Sequence, residues 1–132
     1  PVPSTGRITC NFGFVRGMNG NTFFHRGIDI GGMMGATIVA ADGGQVIHAG
    51  YGEDSTYGIS VCISHGRGVF TRYAHMSAVS VRAGQSVSRG QKIGAVGNTG
   101  YSFGPHLHFE VIVGNNKWNP VQNPLNYVGY GR

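Results

Sequence analysis

The 132-residue sequence predicts a mainly β protein of short antiparallel strands, and three observations carry that expectation. Glycine occurs 24 times, and only two glycine-free stretches exceed nine residues: 69–83, and 115–128 with Pro120 and Pro124 inside it. An interior glycine costs a helix about 1 kcal/mol relative to alanine, so long helices have little room. The segment ISVCISH alternates Ile59, Val61 and Ile63 with Ser60, Cys62 and Ser64, the period of a half-buried strand. Turn-forming clusters (DGG, GRG, GNN) separate the apolar runs.

In chain order, FFHRGIDIGG reads as a turn followed by a strand. The glycines at 27, 31 and 32 and the Ile28-Asp29-Ile30 alternation argue against a helix. His25 sits on the turn, Arg26-Gly27 redirects the chain, and Asp29 points out of a strand whose isoleucines point in. TIVAADGGQVIHAG resolves into two short strands around Asp42-Gly43-Gly44, in the manner of a hairpin. ISVCISH, GRG and VFTRYAH make 59–75 a β-hairpin. In VRAGQSVSRGQKIGAVG, glycines at 84, 90, 94 and 97 punctuate valines and isoleucines. That segment resembles the hairpin of biotinyl or lipoyl carrier domains, yet it lacks the lysine at a hairpin tip that cofactor attachment requires. LHFEVIVGNNKW supplies a further strand and a turn at Gly114-Asn115-Asn116. A short echo between GATIVAADGGQVIHAG and GQKIGAVGNTG hints at a duplicated motif.

The length fits one domain, residues 1–132. The opening PVPSTG, without an initiator Met or a signal-peptide pattern, reads as a domain excised from a longer or processed protein. No apolar run approaches the roughly 18 residues of a membrane helix. Ten Lys+Arg against five Asp+Glu give +5. The basic residues are dispersed without a run, which argues for a mildly basic solvated surface suited to an anionic wall rather than for a nucleic-acid module. Cys10 and Cys62 have neither Cys-x-x-Cys nor zinc-knuckle spacing. They are two small buried hydrophobes or, in an oxidising compartment, a disulfide.

The chemistry concentrates in histidine. GPHLHFEV places His106, His108 and Glu110 on one face of a strand and Leu107, Phe109 and Val111 on the other. Alternate Cβ atoms lie about 7 Å apart, so both imidazoles can serve one site. Asp29, one of only five acidic residues, is flanked by isoleucines. A carboxylate so placed is expensive to bury without a cation. Two histidines and a carboxylate hold a catalytic zinc with one position open for water. His75, in TRYAHMS, is a further candidate, and imidazoles beyond the ligand set are available as acid, base or oxyanion donor. His48 and His65 read as structural. Glu110 reads as a surface carboxylate, with an acceptor behind a ligand histidine as the alternative.

HRGIDI, ADGGQV, YAHMS, VRAGQSVSRGQKIGAVGNTGYSFGPHLHFEV and NPLNYV, in that order, resemble the lysostaphin-type zinc metalloendopeptidases of bacterial peptidoglycan from about Arg7 to Val128. The resemblance implies a compact antiparallel β-sheet or sandwich with a duplicated hybrid motif. It also implies a groove walled by residues 17–24, 50–58, 76–80 and 98–105. It implies one zinc ion on His25, Asp29 and His108, with His75 and His106 as catalytic histidines outside the metal. His106 would be the general base and His75 the oxyanion donor, or the reverse. The substrate would be a peptide bond in a stem peptide or cross-bridge. The setting would be secreted, envelope-bound or carried on a phage tail, and the isolated domain would be a monomer. Tyr57, Tyr101, Phe103 and Trp118 line the groove or are ordinary packing aromatics. Met33 and Met34, where relatives carry small residues and a proline, read as packing variations.

Three rival readings remain open. They are a silent relative that binds wall or partner proteins, a non-haem iron oxygenase, whose first motif would be His-x-Asp/Glu, and the nucleic-acid module.

Overall fold

The computed structural model describes residues 3–4, 6–16, 22–100, 102, 104–118 and 120–127. Its strands are β1 Ile8–Cys10, β2 Gly13–Arg16, β3 Thr22–His25, β4 Ile28–Gly31, β5 Thr37–Val39, β6 Gly44–Gly50, β7 Ile59–Gly66, β8 Val69–Val79, β9 Ser86–Val87, β10 Lys92–Val96, β11 His106–Val113 and β12 Val121–Gln122. Single 3-10 turns cover Ser55–Tyr57 and Pro124–Asn126. Ten strands form one sheet with the main path β1-β4-β11-β8-β7-β6-β9; β10 pairs with β5 and β8, and β12 with β11. The other two strands, β2 and β3, make a separate ribbon. All pairings among the described residues are antiparallel, as the glycine-punctuated sequence predicts.

The hairpin expected at 59–75 is β7 and β8, closed by Gly66 opposite Val69. Its turn residues Arg67 and Gly68 both take positive φ, +56° and +74°, the backbone that matches strand twist in two-residue hairpins. The expectation for 37–50 needs correcting. Asp42-Gly43-Gly44 does separate two strands, but they do not pair with each other. β5 lies against β10, and β6 lies between β7 and β9. Ile38 of β5 is fully buried in the core cluster, beside Ile93 and Val96 of β10. The two echoing segments meet directly, because β5 comes from the first and β10 from the second.

The core is built from one face of these strands. Ile28, Ile30, Ile38, Val61, Ile63, Tyr73, Leu107 and Phe109 are completely buried, each aliphatic or aromatic side chain contributing roughly 1.5–3 kcal/mol by leaving water. Leu107 and Phe109 enter the core as the alternation in GPHLHFEV requires. Their even-numbered neighbours are turned to the other face, where β4 and β8 flank β11. There His108 stands opposite Asp29 on one side and Ala74 on the other. On the far side of β4, Cys10 of β1 is also opposite Asp29. A row Cys10–Asp29–His108 therefore crosses three adjacent strands. Gly27 makes the approach possible, since a Cβ there would lie 2.1 Å from the Phe109 carbonyl oxygen.

Candidate metal centre

His25 ends β3, and its Nδ1 lies 2.9 Å from the Asn11 carbonyl oxygen. A carbonyl only accepts, so Nδ1 donates to it. Nε2 faces Asp29 Oδ1 at 3.3 Å, donating to the carboxylate when no metal lies between them, and would present its lone pair to a bound ion. Asp29 also meets His108 Nδ1 at 2.9 Å, while His108 Nε2 lies 2.9 Å from Glu110 Oε2. Without a metal, His108 thus bridges two carboxylates as an imidazolium. Burial opposes that charge, but the hydrogen bonds to Asp29 and Glu110 outweigh it and raise the pKa to about 9. Asp29 answers the same pairing: burial works against its charge, yet hydrogen bonds from His108 and His25 hold it well below the usual carboxylate range. The proton between His108 Nδ1 and Asp29 occupies the place a cation would take.

The donor set fits zinc on this geometry. Two nitrogens and a carboxylate oxygen converge, and each ring has its remote nitrogen fixed, by Asn11 for His25 and by Glu110 for His108. Such outer partners fix the tautomer of a ligating histidine and raise its basicity. The Cys10 sulfur belongs to the same neighbourhood: its Sγ and ligand atoms of His25 and Asp29 all lie within 4.8 Å of one another.

His75 and His106 stand beside this trio. The His106 Nδ1 is 2.8 Å from the Gly104 carbonyl and 3.2 Å from Ser102 Oγ, with Nε2 facing Asp29 Oδ1 at 3.6 Å. The His75 Nδ1 is 2.7 Å from the Thr99 carbonyl, and the two rings are 4.8 Å apart. Burial lowers the His75 pKa to about 4, so the ring is neutral at pH 7, with Nε2 an acceptor. His75 adopts φ +60° in the middle of β8, a conformation that costs a non-glycine residue roughly 1–3 kcal/mol and clusters at working sites. His48 and His65 are elsewhere and bonded, to Gly50 O and to Gly43 O and Thr71 Oγ1 respectively, as a structural reading requires.

Glu110 corrects the sequence expectation. It is fully buried, not a surface carboxylate. Its Oε2 accepts from the Tyr57 hydroxyl at 2.6 Å, and its Oε1 accepts from Arg72 Nη1 at 2.7 Å. Arg72 is likewise fully buried. It donates to both oxygens of Glu53, at 2.9 and 3.1 Å, and its guanidinium lies over the rings of Trp118 and Tyr57 at 4.4 and 5.2 Å. The contact of Glu110 with His108 matches the alternative the sequence offers, an acceptor behind a ligand histidine, whereas the sequence reading gives no role to Arg72 and Glu53 behind it. The available signal was an arginine inside a long apolar-flanked strand in a chain with five acids.

The five sequence-predicted residues lie together in a groove of about 620 Å³. Thr56 and Tyr57 from the 50–58 loop and Ser102, Gly104 and Pro105 from the 98–105 loop line it. Residues 76–80 are not a wall: Met76–Val79 finish β8 and pair with β10, and none lines the groove among the described residues. From 17–24, Phe23 contributes, and 17–21 lie outside the described residues, as do Tyr101 and Phe103. Tyr57 stacks on His108, while Trp118 serves Arg72. Met33 and Met34 are 81% and 57% exposed, so they fill no gap in the core. Cys10 and Cys62 are free thiols, Cys62 fully buried; no disulfide joins them.

A model of peptidase family M23 matches residues 23–120. The chain is 40% identical over 116 residues to the peptidoglycan DD-endopeptidase ShyA of Vibrio cholerae, covering 86% of this chain and 26% of that protein. The chain thus spans about a quarter of that relative's length. Among solved structures, the catalytic domain of lysostaphin from Staphylococcus simulans superposes with a TM-score of 0.81 at 30% identity, covering 92% of this chain and 91% of that one. A zinc-containing peptidase from Vibrio cholerae gives 0.71 at 36% identity, over 82% and 33% of the two chains.

Proposed function

The chain belongs to peptidase family M23, and we propose that it is a zinc-dependent endopeptidase hydrolysing peptide bonds in the stem peptides or cross-bridges of peptidoglycan. The observation that carries this reading is the convergence of His25 Nε2 and His108 Nδ1 on Asp29 Oδ1, with two further imidazoles at the same groove. His25, Asp29 and His108 would hold the ion. When bound, zinc would act as a Lewis acid on the scissile carbonyl and on the attacking water.

The chain's own residues would move the protons. His106, anchored at Nδ1 by Gly104, offers Nε2 to the attacking water and would pass that proton to the leaving amine. His75, anchored by Thr99, offers a second acceptor. Donating to an oxyanion would require a proton on its Nε2, which the lowered pKa disfavours in the resting protein. His75 would therefore be a second proton acceptor at the outset, beside His106, and would take up an oxyanion contact only once protonated. The groove, open between the 50–58 and 98–105 segments, suits an extended peptide. No helix among the described residues is long and apolar enough to cross a membrane. The proposed setting is the cell envelope or its exterior, with residues 1–132 acting as one monomeric domain.

Peptidoglycans of several cross-link types, digested with and without a zinc chelator and read by mass spectrometry of new termini, test the proposal. Chelator-sensitive new amines, absent with His108→Ala, are expected. Intact walls of every type, despite bound zinc, would overturn it in favour of a binding role.

A further inference from the structure

We propose that Cys10 is a fourth protein ligand to the ion of this centre, so that its sulfur closes in the resting protein the coordination position that catalysis needs open. The inference rests on the zinc reading above and on two features of the fold that are independent of it.

The first is register. β1 pairs with β4 so that Cys10 stands opposite Asp29, and β11 pairs with the other edge of β4 so that His108 stands opposite the same residue. The irregularity between Ile8 and Cys10 adds one residue to β1, which takes Cys10 off the core side where Ile8 packs and onto the face of Asp29. Cys10 thus flanks Asp29 on one side as His108 flanks it on the other. The second is donor geometry. The Cys10 sulfur and ligand atoms of His25 and Asp29 lie within 4.8 Å of one another. Sulfur and nitrogen donors on one tetrahedral zinc stand about 3.5 Å apart, given Zn–S near 2.3 Å and Zn–N near 2.0 Å, so the sulfur is at most about 1.3 Å beyond ligand spacing from the His25 donor. Little holds the sulfur back: its hydrogen-bond partner is the Asn11 carbonyl at 3.9 Å, a weak contact. The residue is half-buried on the groove wall beside Thr9 and Phe23.

The chemistry suits the position. Zinc is borderline-soft and takes thiolate, imidazole and carboxylate together. A set of four protein ligands is the closed arrangement of structural sites, whereas three ligands and a water characterise catalytic ones. Cys10 would therefore have to leave before water and a scissile carbonyl bind, and the groove would be gated by one side chain on an edge strand. Cys62 supplies the internal control, since it is fully buried.

Cobalt(II), added to the metal-free chain as a spectroscopic substitute for zinc, reads this directly. The wild type and Cys62→Ser are expected to show a near-ultraviolet thiolate-to-cobalt charge-transfer band that saturates at one equivalent. Cys10→Ser should keep the visible cobalt bands and lose the charge-transfer band. Visible bands without the charge-transfer band in the wild type, or a band that persists in Cys10→Ser, would overturn the Cys10 proposal and leave the three-ligand centre standing. No cobalt uptake by the wild type, or equal uptake by His108→Ala, would instead overturn the metal reading itself. Should Cys10→Ser fail to fold, alkylation of the wild type by iodoacetamide decides. Stoichiometric zinc should slow modification of Cys10, mapped by mass spectrometry, by about tenfold or more, because a ligating thiolate is masked. An unchanged rate would refute the proposal.

Discussion

His75 combines a left-handed backbone with a ring that burial keeps neutral. The sign of its pH effect follows from the two states. Unfolded, the ring titrates near 6.5; folded, its pKa is lowered to about 4. The unfolded chain therefore binds the extra proton first as pH falls. The contribution of a neutral His75 is fully present above pH 6.5 and is lost between there and about pH 4. Denaturant unfolding of the chelator-treated protein should show the wild type losing on the order of 2–3 kcal/mol more than His75→Gln across that interval. Parallel pH curves for the two proteins would contradict it. The identity of His75 as a candidate was legible in the Tyr-Ala-His motif. Its φ was not, because positive φ in a strand arises only when the surrounding sheet over-determines the backbone.

At the scale of elements, β11 works because both its faces are occupied, one by core and the other by the layer Tyr57–Glu110–Arg72–Glu53. Glu110→Gln preserves shape but weakens acceptance from His108 Nε2. It should reduce metal affinity about 10- to 100-fold, as measured by competition with a chromophoric chelator. An unaltered affinity would relegate Glu110 to packing. Arg72→Met strands two buried carboxylates and should cost about 3–5 kcal/mol by thermal or chemical unfolding. A third expectation concerns the turn between β3 and β4. Gly27→Ala forces a methyl group onto the Phe109 carbonyl oxygen and should separate His25 from His108. Loss of metal binding with the circular-dichroism spectrum of a β protein retained is the expected signature; tight metal binding in Gly27→Ala would show that the turn can shift without cost.

For the molecule as a whole, the candidate ligands come from β3, β4 and β11, so an ion bound among them would fasten distant parts of the chain together. Binding to the folded state alone stabilises it by about 2.7 kcal/mol at a hundredfold excess over Kd. Zinc should accordingly raise the wild-type Tm, reversibly with chelator, and leave His108→Ala unmoved; equal shifts in both would place the ion elsewhere. Much of this was legible beforehand. Strand periodicity and glycine spacing announce an antiparallel β protein, because side-chain alternation and turn conformations are local properties. The two histidine motifs announce the candidate site, because a strand's period sorts His106 and His108 from Leu107 and Phe109 before any contact is known. Three things needed the tertiary structure: that β5 and β6 seek different partners, that Glu110 is buried against Arg72, and that Cys10 stands across from Asp29. Each depends on which strands lie side by side and in what register. Pairing between segments far apart in the chain is decided by the collective burial of their faces, a quantity that no single stretch of sequence carries.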